Sequence, residues 1–326
     1  MVSQEGDNTH VIAIRGNFDD AQTGVKKIFA DDEMKKKLAA EGIKLSSANS
    51  INIGRLVPQV AYYVYSYVKL TEEGALKEGD PMNVVVPTGN FGNILAAYMA
   101  KEMGLPIGKL ICASNENNVL TDFIRTGVYD ARRQFYLTSS PSMDILISSN
   151  LERLLYLLSG RDGKAVSDWM KALEADKVYE VSKKVREGLA DFYGGFCTER
   201  EAREAIAALW NEEGYLVDTH TAVAYKVYRD YAEETGDETP AVIASTASAY
   251  KFAESVADAC GLDVGKVKVL ANSAAEPTGF DYVKALEKAT GVRVPSGLRD
   301  LEDKPVLHDR VCAKDEMSEV VMEVLE

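Results

Sequence analysis

Asn83-Val84-Val85-Val86-Pro87-Thr88-Gly89-Asn90-Phe91-Gly92-Asn93 indicates the fold class more clearly than any other segment of the chain. A short apolar strand ends in this stretch, a turn with two glycines follows, and an apolar helix begins. Such a junction directs backbone N–H groups and the positive end of a helix at one point, where a phosphate can bind. The turn is not a GxGxxG sequence and has no Walker lysine, so neither a dinucleotide nor a nucleoside triphosphate is indicated. A plain strand-to-helix turn, in which the glycines serve backbone geometry alone, fits these residues equally well.

Short apolar blocks elsewhere predict the rest of a sheet. The predicted strands are His10 to Arg15, Asn83 to Val86, Lys109 to Ala113, Gln134 to Thr138, Ala241 to Ser245 and Lys266 to Ala271. Most of these blocks lack alternation between apolar and polar residues, which is typical of strands covered on both faces. Helical patterns follow several of them. The sequence therefore predicts the α/β class, with a mainly parallel sheet flanked by helices.

Residues 151–211 depart from this alternation of strand and helix. Their pattern predicts consecutive helices over residues 151–158, 164–189 and 198–211, the last of which opens with a capping box at Thr198. Asp218 is expected to cap the helix that follows. We interpret residues 151–211 as a helical insertion in the α/β domain.

A domain junction is predicted where the chain becomes polar and rich in turn residues, between Thr71 and Asp80. The residues before this junction hold one predicted strand and several helices, too little for a domain with its own core. We therefore expect residues 1–75 to be a remnant of an N-terminal small domain. Residues 76–326 are expected to form the large α/β domain.

Composition excludes several classes of function. The chain has 326 residues, of which 46% are hydrophobic, enough to bury a core without disulfides. Its net charge of −14 argues against nucleic acid and anionic membranes as partners. The four cysteines form no CxxC pair and the three histidines are far apart, so no metal site is expected. Neither a signal peptide nor a run of about 18 apolar residues is visible, which indicates a cytoplasmic protein.

Two more segments carry candidate binding residues. Ser245 and Thr246 follow a predicted strand, and the carboxyl ends of parallel strands line the ligand crevice of open α/β sheets. Farther upstream, Ser46-Ser47-Ala48-Asn49-Ser50-Ile51-Asn52-Ile53-Gly54-Arg55 places a cluster of small polar side chains before an arginine that suits a phosphate or a carboxylate. Both segments are also explained as helix caps, with a solvated arginine in the second. His220 is a candidate acid or base, although a lone histidine in a first helical turn is more often structural.

The order of these segments resembles threonine synthase of the longer bacterial and fungal type. The matching motifs are Gly16-Asn17-Phe18-Asp19-Asp20, Asn49-Ser50-Ile51-Asn52, Gly89-Asn90-Phe91-Gly92, Ser140-Pro141-Ser142-Met143-Asp144, Ser149-Asn150-Leu151-Glu152-Arg153 and Ser245-Thr246-Ala247 with Lys251-Phe252. Six motifs in one order are specific to this family.

The resemblance implies a fold type II enzyme that uses pyridoxal 5'-phosphate (PLP). Such a carbon–oxygen lyase converts O-phospho-L-homoserine and water to L-threonine and phosphate, the last step of threonine biosynthesis. The resemblance places the cofactor phosphate on the backbone of five residues, namely Gly89, Asn90, Phe91, Gly92 and Asn93. It gives Thr246 a hydrogen bond to the pyridine nitrogen, and Asn52 and Arg55 are candidates for the substrate side.

One departure from the family concerns the lysine that forms the Schiff base with PLP. Family members carry it in an F-[KQ]-D-like context, with a TSGDTG-like loop after it, upstream of the GNFDD segment. Neither motif occurs in this sequence, and Lys251 matches a lysine that the family has in addition to the catalytic one. We therefore expect a truncated threonine synthase without its catalytic lysine and with an incomplete small domain.

Such a chain is expected to be inactive alone and to self-associate through the apolar surface that the missing part would cover. The alternative is a non-catalytic module that binds PLP or a phosphorylated amino acid. Another fold type II enzyme, such as a dehydratase, is disfavoured because no regulatory domain is visible after Asn272.

Overall fold

The computed structural model describes residue 6 and residues 8–16 and 18–325. Asn17 of the predicted GNFDD segment lies outside the described residues. In chain order the elements are β1 (Ala13–Arg15), α1 (Phe18–Ala30), α2 (Asp32–Ala40), α3 (Ile53–Leu56), α4 (Val60–Glu72), β2 (Met82–Pro87), α5 (Gly92–Glu102), β3 (Ile107–Ser114), α6 (Val119–Thr126), β4 (Val128–Asp130), α7 (Leu151–Leu158), α8 (Gly163–Asp176), β5 (Val178–Glu180), α9 (Lys183–Gly188), β6 (Phe192–Phe196), α10 (Glu199–Glu213), α11 (Thr219–Thr235), β7 (Ala241–Ile243), α12 (Ala253–Ala259), α13 (Val264–Ala271), α14 (Gly279–Thr290), α15 (Ser296–Arg299), β8 (Val311–Ala313) and α16 (Met317–Leu325).

The larger of two compact units runs from Ser47 to Asp263 and contains the central sheet. Four strands pair in parallel in the order β6-β3-β2-β7. Every residue of β2 is buried, as expected for a strand covered on both faces. A separate antiparallel pair joins β4 to β5. The predicted α/β class with a mainly parallel sheet flanked by helices is confirmed.

Alternate residues of β2 face two different helical layers. Val84 and Val86 are buried in one core with Leu95 of α5. Val85 is buried in another core with Val223 of α11. Because successive side chains of a strand point to opposite faces, α5 and α11 cover opposite sides of the sheet.

The smaller unit is formed by the described residues up to Ser46 and from Val264 onward. Its β1 and β8 pair in parallel, with Ile14 opposite Cys312. Its small core includes Ile28, Met34 and Leu38. In the part of the chain that the structure describes, no helix combines the length and apolarity needed to cross a membrane.

These units differ from the domains predicted at residues 1–75 and 76–326. Tyr63 and Tyr67 of α4 are buried in the same core as Val84, so residues 47–75 belong with the sheet. The polar residues between Thr71 and Asp80 are a connection within one unit, which the turn signals alone did not distinguish from a linker.

Two predicted strands are wrong. Residues 134–138 form no strand, because the side chain of Asn117 bonds to both the N–H and the C=O of Tyr136 in place of a strand neighbour. Residues 266–271 lie in the helix α13. Their alternation of valine and lysine resembled a strand, but only Val267 of this helix is buried, while Val269 is 79% exposed.

The predicted all-helical insertion at residues 151–211 is also corrected, because two strands interrupt it. β5 separates α8 from α9, and β6 is an edge strand of the central sheet. Gly194 and Gly195 concealed β6, since glycine is unusual inside strands. A Cβ atom on Gly195 would lie 2.6 Å from the side chain of Val227, so the glycine permits close packing of α11. The predicted caps at Thr198 and Asp218 are confirmed.

Candidate functional site

The order of the central strands reverses between β2 and β7. From β2 the chain moves through β3 to β6, and it then returns to place β7 on the other side of β2. In open α/β sheets, ligands bind in the crevice outside the carboxyl ends of the strands at such a switch point. A cavity of about 600 Å³ lies there, lined by Gln59, Tyr62, Tyr63, Ser66, Asn93, Val242, Ile243, Ala244, Ser245 and Thr246. The structure thus brings Asn93 and Thr246, two residues singled out from separate motifs, to one cavity.

The loop at residues Gly89 to Asn93, which we call the phosphate loop after its predicted ligand, connects β2 to α5. Phe91 takes the left-handed conformation, with φ of 62° and ψ of 5°, and its side chain is buried. A bulky residue in this region of backbone space is strained and is found mainly where a site requires it. Among the described residues, none accepts a hydrogen bond from the backbone N–H groups of the phosphate loop. At the N-terminus of a helix, such free donors suit an anion.

Both glycines of the phosphate loop lie against neighbouring segments. A Cβ atom on Gly89 would lie 2.5 Å from the carbonyl oxygen of Ser142. A Cβ atom on Gly92 would lie 2.4 Å from the hydroxyl of Ser50. Close approach therefore requires glycine at both positions, which favours a shaped loop over a plain turn.

Side chains from residues 148 and 149 bond to the same loop. The hydroxyl of Ser148 donates to the carbonyl oxygen of Gly89 at 2.9 Å. The hydroxyl of Ser149 donates to the side-chain oxygen of Asn90 at 3.1 Å. The motif around Ser149 was recognised in the sequence, but its contact with the loop depends on a fold that brings together residues 59 positions apart.

Tyr63 joins α4 to the phosphate loop. Its hydroxyl donates to the side-chain oxygen of Asn93, and the amide of Asn93 donates to Gln59 at 3.1 Å. Burial, with a smaller contribution from Tyr62, raises the pKa of the Tyr63 phenol, so it stays protonated as a donor. Sequence reasoning missed the contribution of α4 to the cavity. The tyrosine-rich run at residues 62–67 was the available signal.

Ser245 and Thr246 lie at the carboxyl end of β7, and both are exposed to the cavity side. The hydroxyl groups of Thr221 and Ser245 lie within hydrogen-bonding distance, 3.2 Å apart. Ser248, farther along, caps the short turn of helix at Ala249–Phe252. Helix capping is therefore assigned to Ser248, and it does not explain Thr246.

Asp218 and His220 form a buried network beneath this turn. The carboxylate of Asp218 accepts hydrogen bonds from the Thr221 hydroxyl and from Nδ1 of His220, the latter at 3.1 Å. Burial alone would raise the pKa of Asp218, but hydrogen bonds from His220 and Thr221 outweigh it and lower this pKa. His220 is buried, packs on the ring of Phe252 and does not line the cavity, so its role is structural.

Asn52 and Arg55 make local contacts. The side chain of Asn52 caps α3 by accepting from the N–H of Gly54 at 2.9 Å, and it donates to the carbonyl of Ser47. Nε of Arg55 donates to the carbonyl of Ala48 at 3.0 Å, and Arg55 is exposed. Neither residue lines the cavity described above.

The cavity is polar but carries no formal charge among its described lining residues. Lys251, the lysine nearest in sequence to Thr246, is exposed, and its ammonium group lies 5.3 Å from the centre of the Phe252 ring. Within the described residues, no cluster of three or more histidine, cysteine or acidic side chains could hold a metal ion. The cavity therefore offers uncharged hydrogen-bonding groups, and the neighbouring loop offers backbone N–H donors at the start of a helix.

Comparisons with known proteins agree with this geometry. The family described as threonine synthase, C-terminal, matches residues 221–321. Threonine synthase-like 1 of Homo sapiens is 46% identical over 263 residues, which are 79% of this chain and 35% of that protein. Threonine synthase of Saccharomyces cerevisiae is 37% identical over 274 residues, which are 79% of this chain and 52% of that protein.

Solved structures extend the similarity to nearly the whole chain. The PLP-bound threonine synthase of Brucella melitensis superposes with a TM-score of 0.76 and 34% identity, over 98% of this chain and 60% of that one. The yeast threonine synthase superposes with a TM-score of 0.74 and 31% sequence identity, over 96% of this chain and 59% of that one. The chain therefore spans about three-fifths of these structures, about half of the yeast sequence and about a third of threonine synthase-like 1.

Proposed function

Because this chain is related to the C-terminal portion of threonine synthases, we propose that its switch-point cavity binds PLP. The chain would then supply the cofactor-binding part of an enzyme that converts O-phospho-L-homoserine and water to L-threonine and phosphate. One observation supports this proposal: Asn93 of the phosphate loop and Thr246 line one cavity where the strand order reverses. Among the described residues, none accepts a hydrogen bond from the backbone N–H groups of this loop.

The residues present fit the phosphate of this cofactor. The phosphate loop offers backbone donors at the start of an 11-residue helix, and Gly89 and Gly92 leave no Cβ atoms in its crowded walls. The loop carries no lysine or arginine of its own. A dianionic phosphate would therefore be held by backbone N–H groups and by the helix end.

The remaining lining residues suit the ring of the cofactor. When bound, PLP supplies an electron sink for carbanionic chemistry on an amino acid. We propose that the Thr246 hydroxyl donates to the pyridine nitrogen, which leaves that nitrogen uncharged because no carboxylate lines the described cavity. Tyr62 and Tyr63 would form the wall that excludes water from the ring.

Asn52 and Arg55 remain proposals for the substrate side. Arg55 uses only Nε in its local bond to Ala48, so its two terminal nitrogens are available to a phosphate or a carboxylate. Asn52 fixes the start of α3 and thereby the position of Arg55 one turn later. We assign binding to Arg55 and positioning to Asn52.

We further propose that the lysine that attaches PLP covalently in the family is not among the described residues of this chain. No lysine lines the cavity, and Lys251 is directed to Phe252. The same observation favours the second candidate function, a module that binds PLP or a phosphorylated amino acid without covalent chemistry. On either proposal the isolated chain does not turn over phosphohomoserine.

The test is titration of the purified protein with PLP, followed by borohydride reduction and mass measurement of the intact chain. We expect saturable binding, no mass increase of one reduced PLP, and no release of phosphate from phosphohomoserine. Absence of saturable binding would refute the proposed cofactor site. A stoichiometric, reducible lysine adduct with phosphate release would show that this chain holds its own catalytic lysine.

We propose that the chain self-associates through exposed apolar side chains of α3, of the 3-10 turn Val57–Gln59 and of α4. Ile53 of α3, Val57 of the turn that follows, and Val64 and Val68 of α4 are 53%, 52%, 42% and 44% exposed. We call these four residues the apolar row. Exposed apolar side chains that lie close together in the sequence are typical of an interface, and a second copy of this chain is the proposed occupant.

A further inference from the structure

Asn150, at the start of α7, forms hydrogen bonds to the phosphate loop. Its side-chain amide donates to the carbonyl oxygen of Asn90 at 2.8 Å, and its backbone N–H donates to the same oxygen at 3.1 Å. Asn150 is fully buried. The two donors together fix the direction of the Asn90 carbonyl group, because a carbonyl oxygen has two acceptor positions.

Arg153, one helical turn later, fixes the orientation of Asn150. One terminal nitrogen of its guanidinium donates to the side-chain oxygen of Asn150 at 2.5 Å and to the carbonyl of Ser50 at 2.7 Å. The other terminal nitrogen donates to the carbonyl of Ile51 at 2.6 Å. Since the oxygen of Asn150 faces Arg153, its NH₂ group must face Asn90 and the hydroxyl of Ser50.

The anchored carbonyl groups determine where the loop's N–H groups point. A trans peptide group is planar, with its C=O and N–H directed oppositely. Asn150 holds the carbonyl of Asn90, so the N–H of Phe91 points away from Asn150. In the same way Ser148 holds the carbonyl of Gly89, and this fixes the N–H of Asn90. Two successive peptide groups are thus oriented by buried side chains outside the loop.

We propose that Asn150 and Arg153 are positioning residues for the ligand's phosphate, and that Arg153 couples the phosphate loop to the segment at Ser50 and Ile51. This inference rests on the proposed function of the site. Ser50 provides the second link, because its hydroxyl bonds to Asn150 and lies against Gly92. A movement of the segment before α3 would therefore be transmitted to the phosphate loop at Asn90 and at Gly92.

Two variants test the positioning role. Asn150→Asp keeps the side-chain acceptor for Arg153 but removes the side-chain donor to Asn90. Arg153→Lys replaces the planar guanidinium group, which donates to three acceptors, by a single ammonium group. Glu152→Gln, on the exposed side of the same helix, is the matched control. Dissociation constants are measured for PLP and for pyridoxal, which lacks the phosphate.

We expect the affinity for PLP, relative to that for pyridoxal, to fall about tenfold in both variants, as for the loss of one well-placed hydrogen bond to a charged group. Glu152→Gln should leave the ratio unchanged. If both ligands weaken by the same factor, Asn150 and Arg153 only support the fold and the proposal is overturned.

Hydrogen exchange in the absence of any ligand provides an independent readout. Arg153→Lys should speed exchange in residues 88–95 and in residues 47–53 together, with the rest of the sheet unchanged. Unchanged exchange in either segment would refute the coupling. If the wild-type chain binds neither PLP nor pyridoxal, the proposed function fails, while the exchange measurement still decides whether Arg153 orders the loop.

Discussion

Nε2 of His220 accepts a hydrogen bond from the backbone N–H of Ser142 at 3.2 Å. Because Nε2 is the acceptor, the ring proton lies on Nδ1, which faces Asp218. The carbonyl oxygen of Ser142 lies 2.5 Å from the position that a Cβ atom on Gly89 would take, so this bond connects α11 to a segment packed against the phosphate loop. His220 therefore contributes to the shape of the site without touching the cavity.

Asp218→Asn should destabilise the protein by about 1–3 kcal/mol at neutral pH, because one buried hydrogen-bond partner of His220 or Thr221 is lost. Urea denaturation measures this change. Asp162→Asn is the control, since Asp162 caps α8 through backbone groups alone and asparagine is an equally good cap. Equal effects at the two positions would contradict a special role for the buried network.

The effect of Asp218 should depend on pH. Its pKa is lowered in the folded chain, despite burial, by hydrogen bonds from His220 and Thr221. Above the unfolded pKa of about 3.9 the carboxylate contributes its full stabilisation, and this contribution is lost as pH falls from about 4 through the folded pKa. The difference between wild type and Asp218→Asn should therefore shrink below about pH 4. If the stability difference between wild type and Asp218→Asn grows as the pH falls, the pKa of Asp218 is not lowered in the folded chain.

Gly89→Ala should weaken PLP binding and cost about 1–3 kcal/mol of stability, because the new methyl group would meet the backbone of Ser142 at 2.5 Å. PLP titration and thermal unfolding measure the two effects. Gly163→Ala, where a Cβ atom meets nothing within 4 Å, should be neutral or stabilising. Unimpaired PLP binding by Gly89→Ala would argue against the phosphate loop as the binding element.

Thr246→Val should lower PLP affinity by about fivefold to tenfold, because it removes the hydroxyl and keeps the shape of the side chain. Thr246→Ser, which retains the hydroxyl, should bind PLP nearly as wild type does. Thr246 is exposed, so little change in stability is expected. Equal losses for valine and serine would show that the hydroxyl does not contact the ligand.

Val57→Lys with Val68→Glu should reduce self-association, because charges interrupt the apolar row. Light scattering after gel filtration measures the molar mass against concentration. Val269→Glu is the control, since Val269 is 79% exposed but lies outside the apolar row. A wild-type chain that remains monomeric at all concentrations would refute this interface.

The sequence predicted the parts of the fold and the site that depend on neighbouring residues. The run Val84 to Val86 before Gly89 predicted both β2 and the turn that leads into α5, because buried strands and tight turns have local signals. Contacts between distant segments had no such signal. The hydrogen bonds from Tyr63 to Asn93 and from Asn150 to Asn90 join residues 30 and 60 positions apart, so they depend on the tertiary fold. β6 was not predicted, because Gly194 is unusual inside a strand. The structure shows that Gly194 lies against the backbone of Thr121, a contact that a single sequence does not reveal.

A crystal structure of this chain with PLP would show whether the loop at residues 89–93 holds the cofactor phosphate. We predict phosphate oxygens about 2.7–3.2 Å from the N–H groups of Gly89 to Asn93, and the pyridine nitrogen at the hydroxyl of Thr246. We also predict no continuous density between PLP and any lysine of the chain. Phosphate density away from the phosphate loop, or a covalent link to a lysine such as Lys251, would contradict the account.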